Sequence, residues 1–161
     1  MILYHGSLEI VESPEVREPN RTLDYGAGFY LTSSAEQAAD WVKRKLKNGA
    51  TRGYVNVYEY NHALESGLSV LEFKNPTEDW LDFVMANRMD KSFTHNYDIV
   101  KGPVANDRVY ASFALYEAGL LGKQELISEL KAYKLVNQVL LHTAASLKSI
   151  AFIKANEVLK K

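Results

Sequence analysis

The sequence predicts a single α+β domain of 161 residues, on three observations. Runs with strand chemistry occur from the N-terminus to beyond residue 150 and alternate with helical stretches, the pattern of a mixed fold. The apolar fraction, 47%, is that of a chain with a packed core. No repeat, low-complexity tract or linker divides the chain, so residues 1–161 read as one domain.

Each element has a local reason. Ile2-Leu3-Tyr4-His5 reads as an opening strand closed by Gly6-Ser7. Residues 9–22 are polar, carry Pro14 and Pro19, and read as a loop. Residues 23–32 form the central stretch: Asp24, Gly26 and Gly28 suit a turn, and Phe29-Tyr30-Leu31-Thr32 suits a short buried strand. Ser33 and Ser34 are cap residues for a helix over 35–47. Lys43, Arg44, Lys45 and Lys47 suit the negative end of that helix, and Asn48-Gly49 stops it.

Tyr54-Val55-Asn56-Val57-Tyr58-Glu59-Tyr60 alternates and is the clearest strand; 68–73 is a second. Asn75-Pro76-Thr77 opens a helix over 78–89, with Trp80, Phe83, Val84 and Asn87 on one face. A strand is expected at 97–100, then a loop over 101–107. Helices are expected at 108–117 and 123–131, parted by Gly119 and Gly122. The last strands are expected at 136–142 and 149–153.

Composition excludes several classes. The chain has no cysteine, which removes disulfides, a thiol nucleophile and cysteine-ligated zinc, and fits a cytoplasmic protein. No long apolar run or signal-peptide pattern is present, so no membrane association is expected. The net charge of −1 provides no global attraction to nucleic acid. There is no P-loop, HExxH or GxSxG. His5, His62, His95 and His142 are far apart and lack ligand spacing, so no metal is expected.

Four short signals remain: Tyr4-His5-Gly6-Ser7, Gly28-Phe29-Tyr30-Leu31-Thr32 with Trp41 beyond it, the loop ending at Asn106-Asp107, and Gln138 near the start of a late strand. Their order resembles the ADP-ribosyltransferase superfamily, in its His-Tyr-Glu branch of diphtheria-toxin and poly-ADP-ribose polymerase type. More closely, the chain resembles an uncharacterised bacterial family. Its marks are the Leu-Asp-Tyr-Gly-x-Gly-Phe-Tyr stretch, the helix with Trp80 and Arg88, and the Tyr-Asp-Ile-Val-x-Gly-Pro-Val-Ala-x-Asp loop. Members of that family look like toxins or effectors encoded beside small partner proteins.

The resemblance implies split antiparallel β-sheets flanked by helices, with NAD bound as substrate between them and no metal. It implies that His5 bonds the adenosine-side ribose and that the Gly6 backbone bonds the nicotinamide amide. Tyr30 and Trp41 would sandwich the nicotinamide ring, and Ser7 or Thr32 would add a hydroxyl. Arg88, or Arg21, suits the pyrophosphate.

Gln138 falls where the superfamily has its catalytic glutamate, and a carboxamide carries no charge. Either activity is therefore weak or another carboxylate supplies the charge: Asp107 first, then Asp98, then Asp24. The same aspartates also suit cap and turn roles.

The activity implied is transfer of ADP-ribose from NAD to a macromolecule, protein or nucleic acid. An antitoxin-like partner is implied as well, and the acceptor would be chosen by loops, such as 8–22 and 91–97, or by a partner. The alternatives are a catalytically degenerate NAD-binding or protein-interaction domain, and an NAD glycohydrolase.

Overall fold

The computed structural model describes residues 1–16, 24–90, 92–104, 107–132 and 136–159, and within these the side chains of all but 107–110 and 132. In chain order the elements are β1 (Ile2–Ser7), β2 (Phe29–Thr32), α1 (Ala35–Lys47), β3 (Tyr54–Tyr60), β4 (Val70–Glu72), α2 (Glu78–Met89), β5 (Ile99–Val104), α3 (Asp107–Glu117), α4 (Lys123–Ala132), β6 (Val136–Leu141) and β7 (Ile150–Glu157). Short 3₁₀ turns lie at His62–Glu65 and Ala145–Ser149. No described helix is long and apolar enough to cross a membrane.

The strands form one sheet in the order β4-β5-β6-β2-β1-β3-β7. All neighbours are antiparallel except β4 and β5. The fold is therefore α+β, a mainly antiparallel sheet flanked by helices. Instead of the split pair of sheets expected, one continuous sheet narrows in its middle. β1 follows β3 along its whole length, and β2 follows β6. Between them, β1 and β2 share only the register pair Tyr4↔Thr32. The two halves of the sheet part there.

Alternation along the strands sorts the core. Leu3, Phe29, Leu31, Tyr58, Ile99, Val139 and Leu141 pack together on one face. On the other face, Val100 and Leu140 meet Trp80, Leu81 and Val84 of α2, Phe113 of α3, and Leu126, Ile127 and Leu130 of α4. Helix α1 lies over the β1–β3 half of that second face. It starts where the Ser34 hydroxyl accepts the Gln37 N–H at 3.1 Å, and it buries Ala38, Val42 and Leu46 at helical spacing. Thr77 caps α2 by accepting from the Trp80 N–H.

Strand β5 runs on through Gly102-Pro103, where the sequence predicts a loop. The Pro103 carbonyl points away from β6, toward Tyr25 and Trp80. In a strand, a residue's nitrogen points the same way as its carbonyl. Proline thus removes no bond from the β5–β6 ladder. The final strand is also longer than expected, because polar residues 154–157 pair with β3 at the sheet edge.

Candidate functional site

The turn from Asp24 to Gly28 is tied down at almost every peptide. Tyr25 is fully buried; its Oη–H donates to the Pro103 carbonyl at 2.7 Å and its oxygen accepts from Trp80 Nε1 at 2.9 Å. Burial pushes this phenol far above its ordinary range, so it stays a donor. The Tyr25 N–H donates to Tyr30 Oη at 3.0 Å, and the Tyr30 hydroxyl donates to the Gly26 carbonyl at 2.5 Å. His95 Nε2 donates to the Tyr25 carbonyl at 2.8 Å, and His142 Nδ1 to that of Ala27 at 2.5 Å. Gly28 has φ +146°, and a Cβ there would sit 2.5 Å from the Leu141 carbonyl oxygen. Only glycine lets this turn press against β6.

The anchored turn borders a cleft of about 960 Å³, set where the sheet parts. Its floor is Tyr4, Tyr30, Thr32 and Gln138, which share the helix-covered face by register. Helix α1 makes one wall; the turn, α2 and α3 make the other. The volume lies near the upper end of the roughly 300–1,000 Å³ typical of small-molecule sites.

Eight of the candidate site residues read from the sequence line this cleft: His5, Gly6, Asp24, Tyr30, Thr32, Trp41, Arg88 and Gln138. His5 fills the gap left where β1 and β2 diverge. Its Nδ1 donates to the Tyr30 carbonyl at 2.6 Å, which leaves Nε2 as an acceptor, and its ring lies 4.2 Å from that of Phe29. Burial pushes its pKa below the ordinary value, so the ring is neutral. Gly6 has a packing reason of its own: a Cβ there would fall 2.5 Å from the Ala38 carbonyl oxygen of α1. Thr32 Oγ1 donates to Gln37 Oε1 at 2.5 Å and accepts the Ser34 N–H at 3.1 Å, so its hydroxyl serves the start of α1. Trp41 carries the Lys45 ammonium 5.3 Å from its ring centroid.

Ser7 lies outside the main cleft. It lines a smaller hollow of about 430 Å³ that also touches His5 and Trp41, and its hydroxyl accepts the Glu9 N–H. Asp98 is remote from both. It joins Thr143 Oγ1 at 2.7 Å and the Ser69 N–H at 2.9 Å, bonds that hold its carboxyl below the usual range and tie β5 to neighbouring loops. Asp107 begins α3, three residues beyond Val104 on the cleft wall, and its side chain lies outside the described residues. Arg21 also lies outside them.

The sequence reading missed three charged groups at the cleft. Glu117, the last residue of α3, meets Arg88 Nε at 3.2 Å, while Arg88 Nη1 meets Asp24 at 3.2 Å. Arg88 is thus clamped between two carboxylates and also stacks on Phe113. Arg44 and Lys45, which read in sequence as a solvated helix end, line the opposite wall. Among the described residues, no carboxylate from α1 lines the cleft. One wall is cationic and the other carries a net −1 from Asp24, Arg88 and Glu117.

Gln138 stands out chemically. It is 7% exposed, and its Nε2 makes no hydrogen bond with any described residue. Its carboxamide faces the Tyr25 hydroxyl oxygen, which already accepts from Trp80 Nε1, and Nε2 approaches that oxygen without reaching hydrogen-bond geometry. A buried amide donor without a partner costs stability, so its presence at a cleft wall points to a ligand acceptor. Among the described residues, no three His, Asp or Glu side chains converge as metal ligands.

A family model described as "Protein of unknown function (DUF3990)" matches residues 1–152. No curated protein and no solved structure matches the chain.

Proposed function

The chain belongs to the DUF3990 family, and we propose that it is an NAD-dependent ADP-ribosyltransferase. The observation that carries this reading is the convergence of His5, Tyr30, Trp41 and Gln138, from four separate chain segments, on one cleft at the parting of the sheet. That set is the one the resemblance assigns to NAD.

The cleft chemistry suits a dinucleotide. Tyr30 and Trp41 offer aromatic faces for a flat ring. His5 Nε2 offers an acceptor to a ribose hydroxyl, and Gln138 Nε2 offers a donor to an oxygen. Arg44 and Lys45 give the α1 wall the charge that a pyrophosphate requires. NAD enters as substrate: the bond between nicotinamide and ribose breaks, and ADP-ribose passes to a protein or nucleic-acid acceptor. The reading extends to a cytoplasmic toxin or effector held in check by a small antitoxin-like partner. Failure of the neighbouring gene product to co-purify would count against that partner.

Gln138 also favours a second reading, an NAD-binding domain without turnover. A charge ~4 Å from the reacting carbon is worth up to ~4 kcal/mol at an effective dielectric near 20, about a thousandfold in rate. A neutral amide supplies none of it.

Nicotinamide release from NAD by the purified chain separates the two readings, run with and without cell extract as a source of acceptor. Release above the no-enzyme rate supports catalysis. Transfer of label from NAD to the extract identifies a transferase, whereas release to water alone identifies a glycohydrolase. NAD binding without release under either condition supports the binding domain. Neither binding nor release rejects NAD as the ligand.

A further inference from the structure

We infer that Asp24 and Glu117, clamped by Arg88, carry the negative charge that the reacting end of NAD requires, and that Arg88 is a positioning residue rather than a pyrophosphate ligand. This assignment rests on the NAD-dependent function proposed for the cleft. Two independent observations support it. The first is the clamp: Asp24 and Glu117 both line the cleft, and each carboxylate lies 3.2 Å from a different nitrogen of one guanidinium. The second is Gln138, nine-tenths buried on the same cleft with a donor that meets no described residue.

The wall charges set the direction of the ligand. Cleavage breaks the bond from ribose C1′ to the nicotinamide nitrogen, and both electrons leave with nicotinamide as a neutral base. C1′ and the ring oxygen share the positive charge that develops. The acceptor's lone pair then forms the new bond to C1′ and its proton is released, so NAD⁺ and H–X give ADP-ribosyl–X, nicotinamide and H⁺. A preorganised negative charge near C1′ favours that state over the ground state. The α1 wall has the wrong sign for C1′ and the right sign for pyrophosphate. The opposite wall has a net negative charge, and the floor offers the Gln138 donor for a ribose oxygen.

Arg88 makes this arrangement durable. Two carboxylates turned toward one cleft repel and swing apart unless a cation fixes them, and a planar guanidinium fixes two at once. With both neighbours anionic, Arg88 has little charge left for a phosphate. Arg88 thus moves from the phosphate role the sequence suggests to the support of the carboxylates.

The test compares kcat and KM for nicotinamide release, NAD affinity by titration calorimetry, and thermal unfolding. The proteins are the wild type, Asp24→Asn, Glu117→Gln, Arg88→Ala and Arg88→Lys. Asp24→Asn and Glu117→Gln are each expected to lower kcat about tenfold or more, with NAD affinity within about threefold of wild type. Arg88→Ala is expected to lower kcat similarly, and Arg88→Lys to recover only part of it, because an ammonium lacks the fork that holds both carboxylates.

Unchanged kcat in both carboxylate variants overturns the inference while leaving NAD turnover, and the proposed function, intact. A KM rise at constant kcat in Arg88→Ala also overturns it, because that is the signature of a pyrophosphate ligand. A wild-type protein that cleaves no NAD overturns both this inference and the transferase reading. If Asp24→Asn fails to fold, Glu117→Gln decides, since Glu117 lies at a helix end and is one-third exposed.

Discussion

The rings of His95 and His142 stack with centroids 4.2 Å apart, and together they hold two carbonyls of one turn, those of Tyr25 and Ala27. His95 is saturated as a neutral imidazole: Nε2 donates to Tyr25, and Nδ1 accepts the Tyr97 N–H at 3.2 Å. A second proton on this ring would remove the acceptor for Tyr97 and place a cation against His142. The Tyr25 carbonyl of the turn is therefore held by an uncharged His95.

Acid should weaken the fold before the carboxylates titrate. Burial holds both His5 and His95 below their ordinary value of 6.5. Between the folded and unfolded values the unfolded chain binds more protons, so acidification favours unfolding. This stability is fully present above about pH 6.5 and is lost as pH falls through the folded values. Asp98 stays ionised in that window, because Thr143 and Ser69 hold its carboxyl below the usual range. The melting temperature should fall on going from about pH 7.5 to about pH 5.5, and less steeply in His95→Gln. Equal slopes for wild type and variant would count against the histidine origin.

Gly6→Ala tests whether α1 is held as closely as the register requires. The new methyl would lie 2.5 Å from the Ala38 carbonyl oxygen, a backbone atom that cannot rotate away. Helix α1 must lift from β1, at a cost of roughly 1–3 kcal/mol. Trp41, Arg44 and Lys45 travel with the helix, so NAD affinity should fall along with stability. Urea unfolding and a binding titration measure the two effects separately. Full retention of both would show that the β1–α1 contact has slack.

The two tryptophans make a built-in reporter. Trp80, on α2, is fully buried, whereas Trp41 lines the cleft. NAD should quench the Trp41 component of the emission through ring stacking, and Trp41→Phe should abolish the quench while leaving the Trp80 signal. Quenching that persists in Trp41→Phe would place the ligand away from α1.

Strands and helices were legible where local chemistry decides them. The helix over 78–89 is found at those residues, bounded by the Thr77 cap, and the alternating 54–60 strand also matches. Expectations failed where tertiary pairing decides. Nothing local reveals that Pro103 points its carbonyl toward Trp80, so the end of β5 reads as a loop. Nothing local reveals that Tyr4↔Thr32 joins two half-sheets into one. In the cleft, the aromatic and glycine motifs were visible as short strings. Arg88 meets Asp24 across 64 positions and Glu117 across 29, a clamp with no sequence period to mark it. Arg44 and Lys45 read as an ordinary helix end, because their position over the cleft depends on how α1 lies on β1.

Gln138 gives the sharpest separation of stability from binding. Its buried Nε2 has no partner among the described residues, so the folded protein bears a desolvation cost without a compensating bond. Gln138→Met keeps the side chain's length and removes that donor. The variant should be as stable as wild type to within about 1 kcal/mol, or more stable. If the donor waits for a ligand oxygen, the same variant should bind NAD about tenfold more weakly, the loss expected when a buried hydrogen bond is deleted from one side. Gln138→Glu keeps one O–H donor only while protonated, the form that burial favours by raising its pKa. Its NAD affinity should therefore fall as pH rises and the carboxylate ionises, since the ionised group only accepts. A Met variant that is clearly less stable but binds NAD normally would mean that the amide serves packing, with Nε2 irrelevant to the ligand.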